Sequence, residues 1–198
     1  MNKSPPVVIG ISGGSGAVIA KRAVALLLDT ERPVIVTCST AGRQMWQQEL
    51  GEPFTRTLHT WEESPFFSYY SINQVGAPIA SGSVPTAGML VAPCSMATVA
   101  AIAHGLADNL LRRAADVHIK ERRPLVLVPR ETPLSPIHLE NLHKLSQMGV
   151  TILAPAPAFY LHPRSVDDIV DYLARKALAA LGVLPDLPGP MRYQGMKE

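Results

Sequence analysis

The stretch that decides the fold is "VVIGISGGSGAVIAKR", Val7 to Arg22. A run of β-branched apolar residues, typical of a buried strand, enters a turn of Gly and Ser and leaves on a spacing that fits a helix. The alternation continues along the chain. Strands are expected at Val7–Ile11, Val34–Cys38, Met89–Ala92, Leu125–Val128 and Thr151–Leu153, with Tyr70–Ile72 as a weaker one. Helices fit between and beyond them at Ser15–Asp29, Ala41–Leu50, Met96–Ala103, Ala107–Arg122, Pro136–Met148 and Ser165–Leu181. Strands interleaved with helices predict an α/β fold, a mainly parallel sheet covered on both faces. The last helix is the clearest. Val166, Ile169, Val170, Leu173, Ala177 and Leu181 make one apolar stripe, Ser165 with Asp168 is a capping-box variant, and Gly182 is a natural stop.

A chain of 198 residues, 47% apolar and 17% charged, is long enough for one sizeable core. The Pro-rich tail "GVLPDLPGPMRYQGMKE" reads as an arm, so the expected division is a single domain over 1–184 and a C-terminal arm over 185–198. No apolar run approaches the roughly 18 to 20 residues of a membrane span, and "MNKSPPVV" lacks a signal-peptide core, so the expectation is a cytoplasmic protein without a membrane partner. Cys38 and Cys94 have no paired spacing, so neither a disulfide framework nor a zinc site is expected. A formal net charge of +2 gives no reason to expect nucleic acid.

In such folds ligands sit where strands end and helices begin, because helix N-termini offer N–H groups and a positive dipole end. The turns to read are "SGGSG" at Ser12–Gly16, "CSTAG" at Cys38–Gly42, "PCSMAT" at Pro93–Thr98 and "PRETP" at Pro129–Pro133. The first is not a dinucleotide fingerprint, since Gly10, Ser12 and Gly13 do not supply G-x-G-x-x-G and no acidic residue closes the second strand. A literal nucleophile-elbow match, Gly10 to Gly14, ends the first strand, before any strand that supplies an oxyanion loop. No Lys-Ser or Lys-Thr completes a P-loop. Two readings stay open: a turn whose Ser12 and Ser15 hydroxyls bond a phosphate or a ring, and a plain Gly-rich turn with Ser15 as helix cap. Arg113 and Lys120 share a face of the fourth helix, and composition favours a solvated face with an Asp116–Lys120 pair. Arg130 and Glu131 follow an apolar strand at its ligand-binding end, where charged residues need partners. Cys94 reads as a small packing residue, and His138 and His143 do not share a helical face as a metal pair would.

Three segments, "GISGGSGA", "PCSMAT" with "AIAHGLADNLLRRAADVHIKERRPLVLVPRETP", and "IHLENLHKLSQMGVTILAPAPAFY", resemble the UbiX family of flavin prenyltransferases over about residues 7 to 182. The resemblance implies a Rossmann-like doubly wound flavoprotein that moves a dimethylallyl group from dimethylallyl monophosphate to reduced FMN without a metal. Prenylation at the central-ring nitrogen and ring closure on the adjacent aromatic carbon give prenylated FMN, which UbiD-type decarboxylases need. It implies an FMN site of Gly13, Gly14, Ser15, Ser39, Ser95, Met96, Ala97, Thr98 and Arg130. It implies a prenyl-phosphate site of Arg113, Lys120, Arg130, Tyr160 and Lys176, with Ser15, Glu49, Lys120 and Glu131 in catalytic roles. Family members form large homo-oligomers, dodecamers by this resemblance, with shared active sites, and Met191, Arg192 and Tyr193 suit a tail that reaches a neighbour.

Three positions depart from the family pattern. Lys176, after Arg175, stands where an Arg contacts the substrate phosphate, giving a point charge in place of a fork. Val75 of "NQVG" lies near the place of a Trp that packs on the prenyl group, and "LHP" follows Tyr160 in place of His-Arg-Pro. Two other classes stay in view: a flavin-dependent cysteine decarboxylase of related fold, disfavoured by the lack of a His before His59, and a non-catalytic FMN carrier.

Overall fold

A computed structural model describes residues 4–184, 187–193 and 195; residues 1–3 and positions 185, 186, 194 and 196–198 of the expected arm lie outside the described residues. Six strands, β1 (Val7–Ile11), β2 (Val34–Cys38), β3 (Phe67–Tyr69), β4 (Gly88–Cys94), β5 (Leu125–Pro129) and β6 (Thr151–Ile152), form one sheet in the order β3-β2-β1-β4-β5-β6. Every pairing is parallel, with Ile9 opposite both Val36 and Leu90. The chain runs outward from β1 to β3 and then returns to place β4 on the other side of β1. That reversal is the switch point at which doubly wound sheets open a crevice beyond the strand C-termini.

The helices are α1 (Ala17–Asp29), α2 (Thr40–Leu50), α3 (Phe54–Glu62), α4 (Met96–Ala103), α5 (Leu110–Lys120), α6 (Pro136–Gln147) and α7 (Val166–Ala180). Successive strand residues point to opposite faces, so one sheet feeds two cores. Val7, Ile9 and Ile11, with Val34, Val36, Val126 and Val128, pack with α1 and α7. Val8, Met89, Val91, Leu125 and Leu127 pack with α4, α5 and α6. The expected capping box opens α7: the Asp168 amide donates to Ser165 Oγ at 3.2 Å and the Ser165 amide to Asp168 Oδ2 at 3.0 Å.

Beyond shifts of a residue or two at element ends, the observed elements differ from the expected ones at three places. No helix is expected at Phe54–Glu62, yet α3 forms there, burying Phe54, Thr57 and Trp61 on one face. Phe54 and Trp61 meet Trp46 of α2 edge-on, at centroid distances of 5.2 and 5.6 Å, contacts worth about 0.5–1.5 kcal/mol each beyond burial. Tyr70–Ile72 is not a strand; the edge strand lies three residues earlier as β3, and the Ile72 carbonyl instead accepts the Leu110 amide at 2.9 Å. The fourth expected helix, Ala107–Arg122, divides off its first three residues, because Asn109 is extended and its side chain accepts the Arg112 amide at 3.1 Å.

Candidate functional site

Beyond β1 the chain turns on Gly16, whose φ of 114° is a left-handed conformation that disfavours side chains. Gly16, not Ser15, is therefore the N-cap of α1, and no side chain of the turn itself caps that helix. The cap comes from α2. The Glu49 carboxylate accepts the Gly16 amide at 3.0 and 3.1 Å and the Ala17 amide at 2.8 Å. A carboxylate on first-turn amides interacts favourably with the helix dipole. The anion position that α1 offers is thus filled by the protein's own charge, next to half-buried Ser15.

Ser12 is not available to a ligand. It is 2% exposed, its hydroxyl donates to the Pro93 carbonyl at 3.0 Å, and that hydroxyl accepts the Ser95 amide at 2.7 Å. Ser12 ties the turn after β1 to the turn after β4, which fixes the floor of the crevice.

Above that floor lies a cleft of about 360 Å³ that includes Gly13, Ser39, Ser95, Ala97 and Thr98 of the expected FMN set. Three helices begin there, each capped. Ser39 Oγ accepts the Gly42 amide at 3.0 Å for α2, Ser95 Oγ the Thr98 amide at 3.3 Å for α4, and Asn109 the Arg112 amide for α5. Each Ser satisfies one first-turn amide and leaves the others of that turn without an intrahelical partner. Close approach needs Gly13, since a Cβ there would lie 2.6 Å from the Ala41 Cβ. Gly14 packs against Pro93 and Cys94, and Met96 is buried. The cleft also includes Thr40, from the Cys38–Gly42 turn that the sequence marks for a ligand, and Ile72, Asn73, Asn109, Leu111 and Arg112, none of which sequence reading singled out. The signal was present for Asn109, a cap residue three places before the amide it accepts.

The expected prenyl-phosphate residues are not gathered at this cleft within one chain. Arg113 donates from Nε to the Ala80 carbonyl at 3.1 Å and from Nη1 to Asp116 at 2.7 Å, so Asp116 pairs with Arg113 and not, as composition favoured, with Lys120. Lys120 pairs with Glu121 at the far end of α5 from Asn109, about 16 Å away at 1.5 Å rise per residue. Arg130 and Glu131 follow β5 on the crevice side of the sheet, but both are exposed to solvent, so burial does not oblige them to pair. Tyr160 and Lys176 line a separate hollow with Tyr172, Arg192 and Tyr193. There Tyr193 of the tail packs edge-on against Tyr160 of its own chain, with centroids 5.6 Å apart.

The thiols are buried packing residues. Burial pushes the Cys38 thiol up to about 12 and the Cys94 thiol higher still, so both are neutral at physiological pH. The His138 side chain closes a capping box with Ser135 at the start of α6. No group of three or more metal-ligating side chains occurs, and no helix is long and apolar enough to cross a membrane, among the described residues.

A doubly wound parallel sheet, with a cleft and capped helix N-termini at its switch point, defines an α/β protein of the nucleotide-binding, Rossmann-like class. The family model described as Flavoprotein matches residues 1–178. The flavin prenyltransferase UbiX of Chlamydia pneumoniae is 48% identical over 180 residues, 91% of this chain and 94% of that protein. Two solved structures share the fold. A dodecameric FMN-dependent UbiX-like decarboxylase from Escherichia coli O157:H7 superposes with a TM-score of 0.87 at 39% identity, covering 96% of this chain and 100% of that one. AnUbiX (PadA1), in complex with FMN and dimethylallyl pyrophosphate, gives a TM-score of 0.88 at 33% identity, covering 98% of this chain and 100% of that one. The chain belongs to the UbiX flavin prenyltransferases of the Flavoprotein family, and it is an FMN-binding enzyme of that activity. The cysteine decarboxylase alternative is set aside by that identity.

Proposed function

We propose that the chain transfers a dimethylallyl group from dimethylallyl monophosphate to reduced FMN in the cleft between the α2, α4 and α5 N-termini. The observation that carries this reading is the cleft itself, where the Gly13 turn packs so closely on Ala41 of α2 that any side chain at that position would force the wall to shift. FMN, when bound, supplies in its reduced form the nucleophile that receives the prenyl group. Gly13, Ser39, Ser95, Ala97 and Thr98 line the cleft and fit its binding; Gly14 and Met96 at the adjoining strand and helix ends and Arg130 after β5 join them in this reading. Glu49, on the Gly16 and Ala17 amides at the start of α1, and Ser15, which precedes those amides in sequence, hold and move protons at the flavin in this reading.

The donor's phosphate leaves as its bond to the prenyl carbon breaks, and the charge on its oxygens is stabilised by fixed cations and donors. Arg113, Lys120, Arg130 and Lys176 supply the charge, Tyr160 a hydroxyl, and Glu131 the proton exchange on the departing phosphate. This set of cations does the work that a divalent metal does in many phosphate enzymes, so the reaction runs without one. Because one chain keeps Lys120 and Tyr160 apart from the cleft, the reading requires a homo-oligomer in which a neighbour completes the site; the E. coli relative is dodecameric. The product is released to a UbiD-type decarboxylase, in the cytoplasm.

The test is mass spectrometry of extracted flavin after incubation of the protein with reduced FMN and dimethylallyl monophosphate, dimethylallyl diphosphate or geranyl diphosphate, with and without a chelator. A flavin heavier by one dimethylallyl group, formed from the monophosphate and insensitive to chelator, supports the reading. Bound FMN that stays unmodified with every donor supports the flavin-carrier alternative.

A further inference from the structure

We propose that Arg112 holds the phosphate end of bound FMN, an assignment that rests on the reading of the α2/α4/α5 cleft as the FMN site. Arg112 is the one charged side chain among the described residues that line that cleft. A flavin mononucleotide ends in a phosphate monoester, carrying about −1.5 to −2 charge at neutral pH, and no other described cation lines the cleft to meet it.

The polarity of the site follows from two observations. The N-terminus of α1 already holds the Glu49 carboxylate, on the Gly16 and Ala17 amides, so a second anion there meets repulsion instead of open N–H groups. The N-termini of α2 and α4 hold no such charge; Ser39 and Ser95 cap them with neutral hydroxyls, and Thr40 and Ala97 of their first turns face the same cleft as Arg112. The phosphate therefore belongs at the α2/α4 side, where helix N-termini attract anions.

Arg112 is set up for that contact. Its backbone amide is fixed by Asn109, and Asp108 holds the guanidinium through Nη1 alone, at 2.8 and 2.9 Å. Nε and Nη2 remain for a phosphate, the bidentate geometry that guanidinium and phosphate share. The side chain of Arg112 is 22% exposed while that of Asp108 is 65% exposed, so the cation lies inward of its carboxylate.

The experiment titrates FMN and riboflavin, which shares the ring and ribityl chain but lacks the phosphate, into wild type, Arg112→Ala and Arg112→Lys, reading flavin fluorescence. Charge-assisted hydrogen bonds are worth enough that Arg112→Ala is expected to weaken FMN about tenfold to a hundredfold. Riboflavin affinity is expected to stay as in wild type, and Arg112→Lys to retain part of the preference for FMN. An FMN-to-riboflavin affinity ratio unchanged in Arg112→Ala, or unchanged in Arg112→Lys where the Ala variant fails to fold, overturns the assignment. Gly13→Val separates the place of FMN binding from the role of Arg112. If that variant binds FMN as wild type does, the cleft is not the FMN site and both readings fall; if it loses FMN while the Arg112 ratio is unchanged, only the Arg112 assignment falls.

Discussion

The Glu49 carboxylate and the Ala17 amide lie 2.8 Å apart across a sequence separation of 32 residues, so the last turn of α2 caps the first turn of α1. This gives Glu49 a structural duty beside its proposed chemical one, and two substitutions separate them. Glu49→Ala removes both, and loss of a helix cap costs about 1 kcal/mol, a fall in Tm of about 2–4 °C for a chain of this size. Glu49→Gln keeps an oxygen acceptor, so most of the stability is expected to survive while prenyl transfer is lost. Thermal melts paired with product mass spectra check this; equal turnover in Gln variant and wild type removes Glu49 from the proton chemistry.

Glu131 follows β5 beside Arg130, and its Oε1 accepts the Thr132 amide at 3.1 Å. Glu131→Gln keeps that bond and the side-chain shape but cannot exchange a proton. The expected result is retained FMN binding with turnover reduced about a hundredfold to ten-thousandfold. Lys120→Ala is expected to raise the apparent KM for the donor and to be partly rescued by higher donor concentration, since its role is charge.

His118 is fully buried in α5, with Nδ1 2.7 Å from the Ala114 carbonyl and Nε2 2.9 Å from Thr86 Oγ1. Burial lowers its pKa below the ordinary 6.5, so the folded protein keeps the ring neutral where the unfolded chain takes a proton. The stability is complete above pH 6.5 and falls as pH drops from there toward the folded value, by at most about 1.4 kcal/mol per pH unit. Denaturant melts from pH 7.5 to 5 check the slope; it is expected to flatten in His118→Gln relative to wild type.

Gly13→Val places a branched side chain where a single Cβ already comes within 2.6 Å of Ala41. The variant is expected to lose FMN binding and to show a lower Tm, because α2 must shift. Flavin titration and differential scanning calorimetry read the two effects separately.

Much of the fold was legible because strands buried on both faces are continuous apolar runs, and because the Ser165/Asp168 box is local. The alternation of runs and helices was enough to order most elements. What escaped were features set by distant contacts. The first-turn amides of α1 are met by a residue from another helix, Ser12 spends its hydroxyl on a strand it does not follow in sequence, and Arg112 reaches the cleft because α5 begins beside it. The short, polar sequence of α3 forms a helix whose aromatic face packs on distant partners, Trp46 of α2 and Phe67 and Tyr69 of β3. For the catalytic set the resemblance supplied residues that one chain does not bring together, Lys120 above all.

The edge-on contact of Trp46 and Trp61 has an optical consequence. These are the chain's two tryptophans, 5.6 Å apart and nearly perpendicular, at the junction of α2 and α3. All indole emission therefore arises from a single spot, on the helix whose opening residues Thr40 and Ala41 line the cleft. A yellow chromophore bound there overlaps that emission and drains it by resonance transfer, so ultraviolet excitation reports flavin arrival without a label. The same light is blind to the α4 and α6 layer, whose unfolding would need another probe.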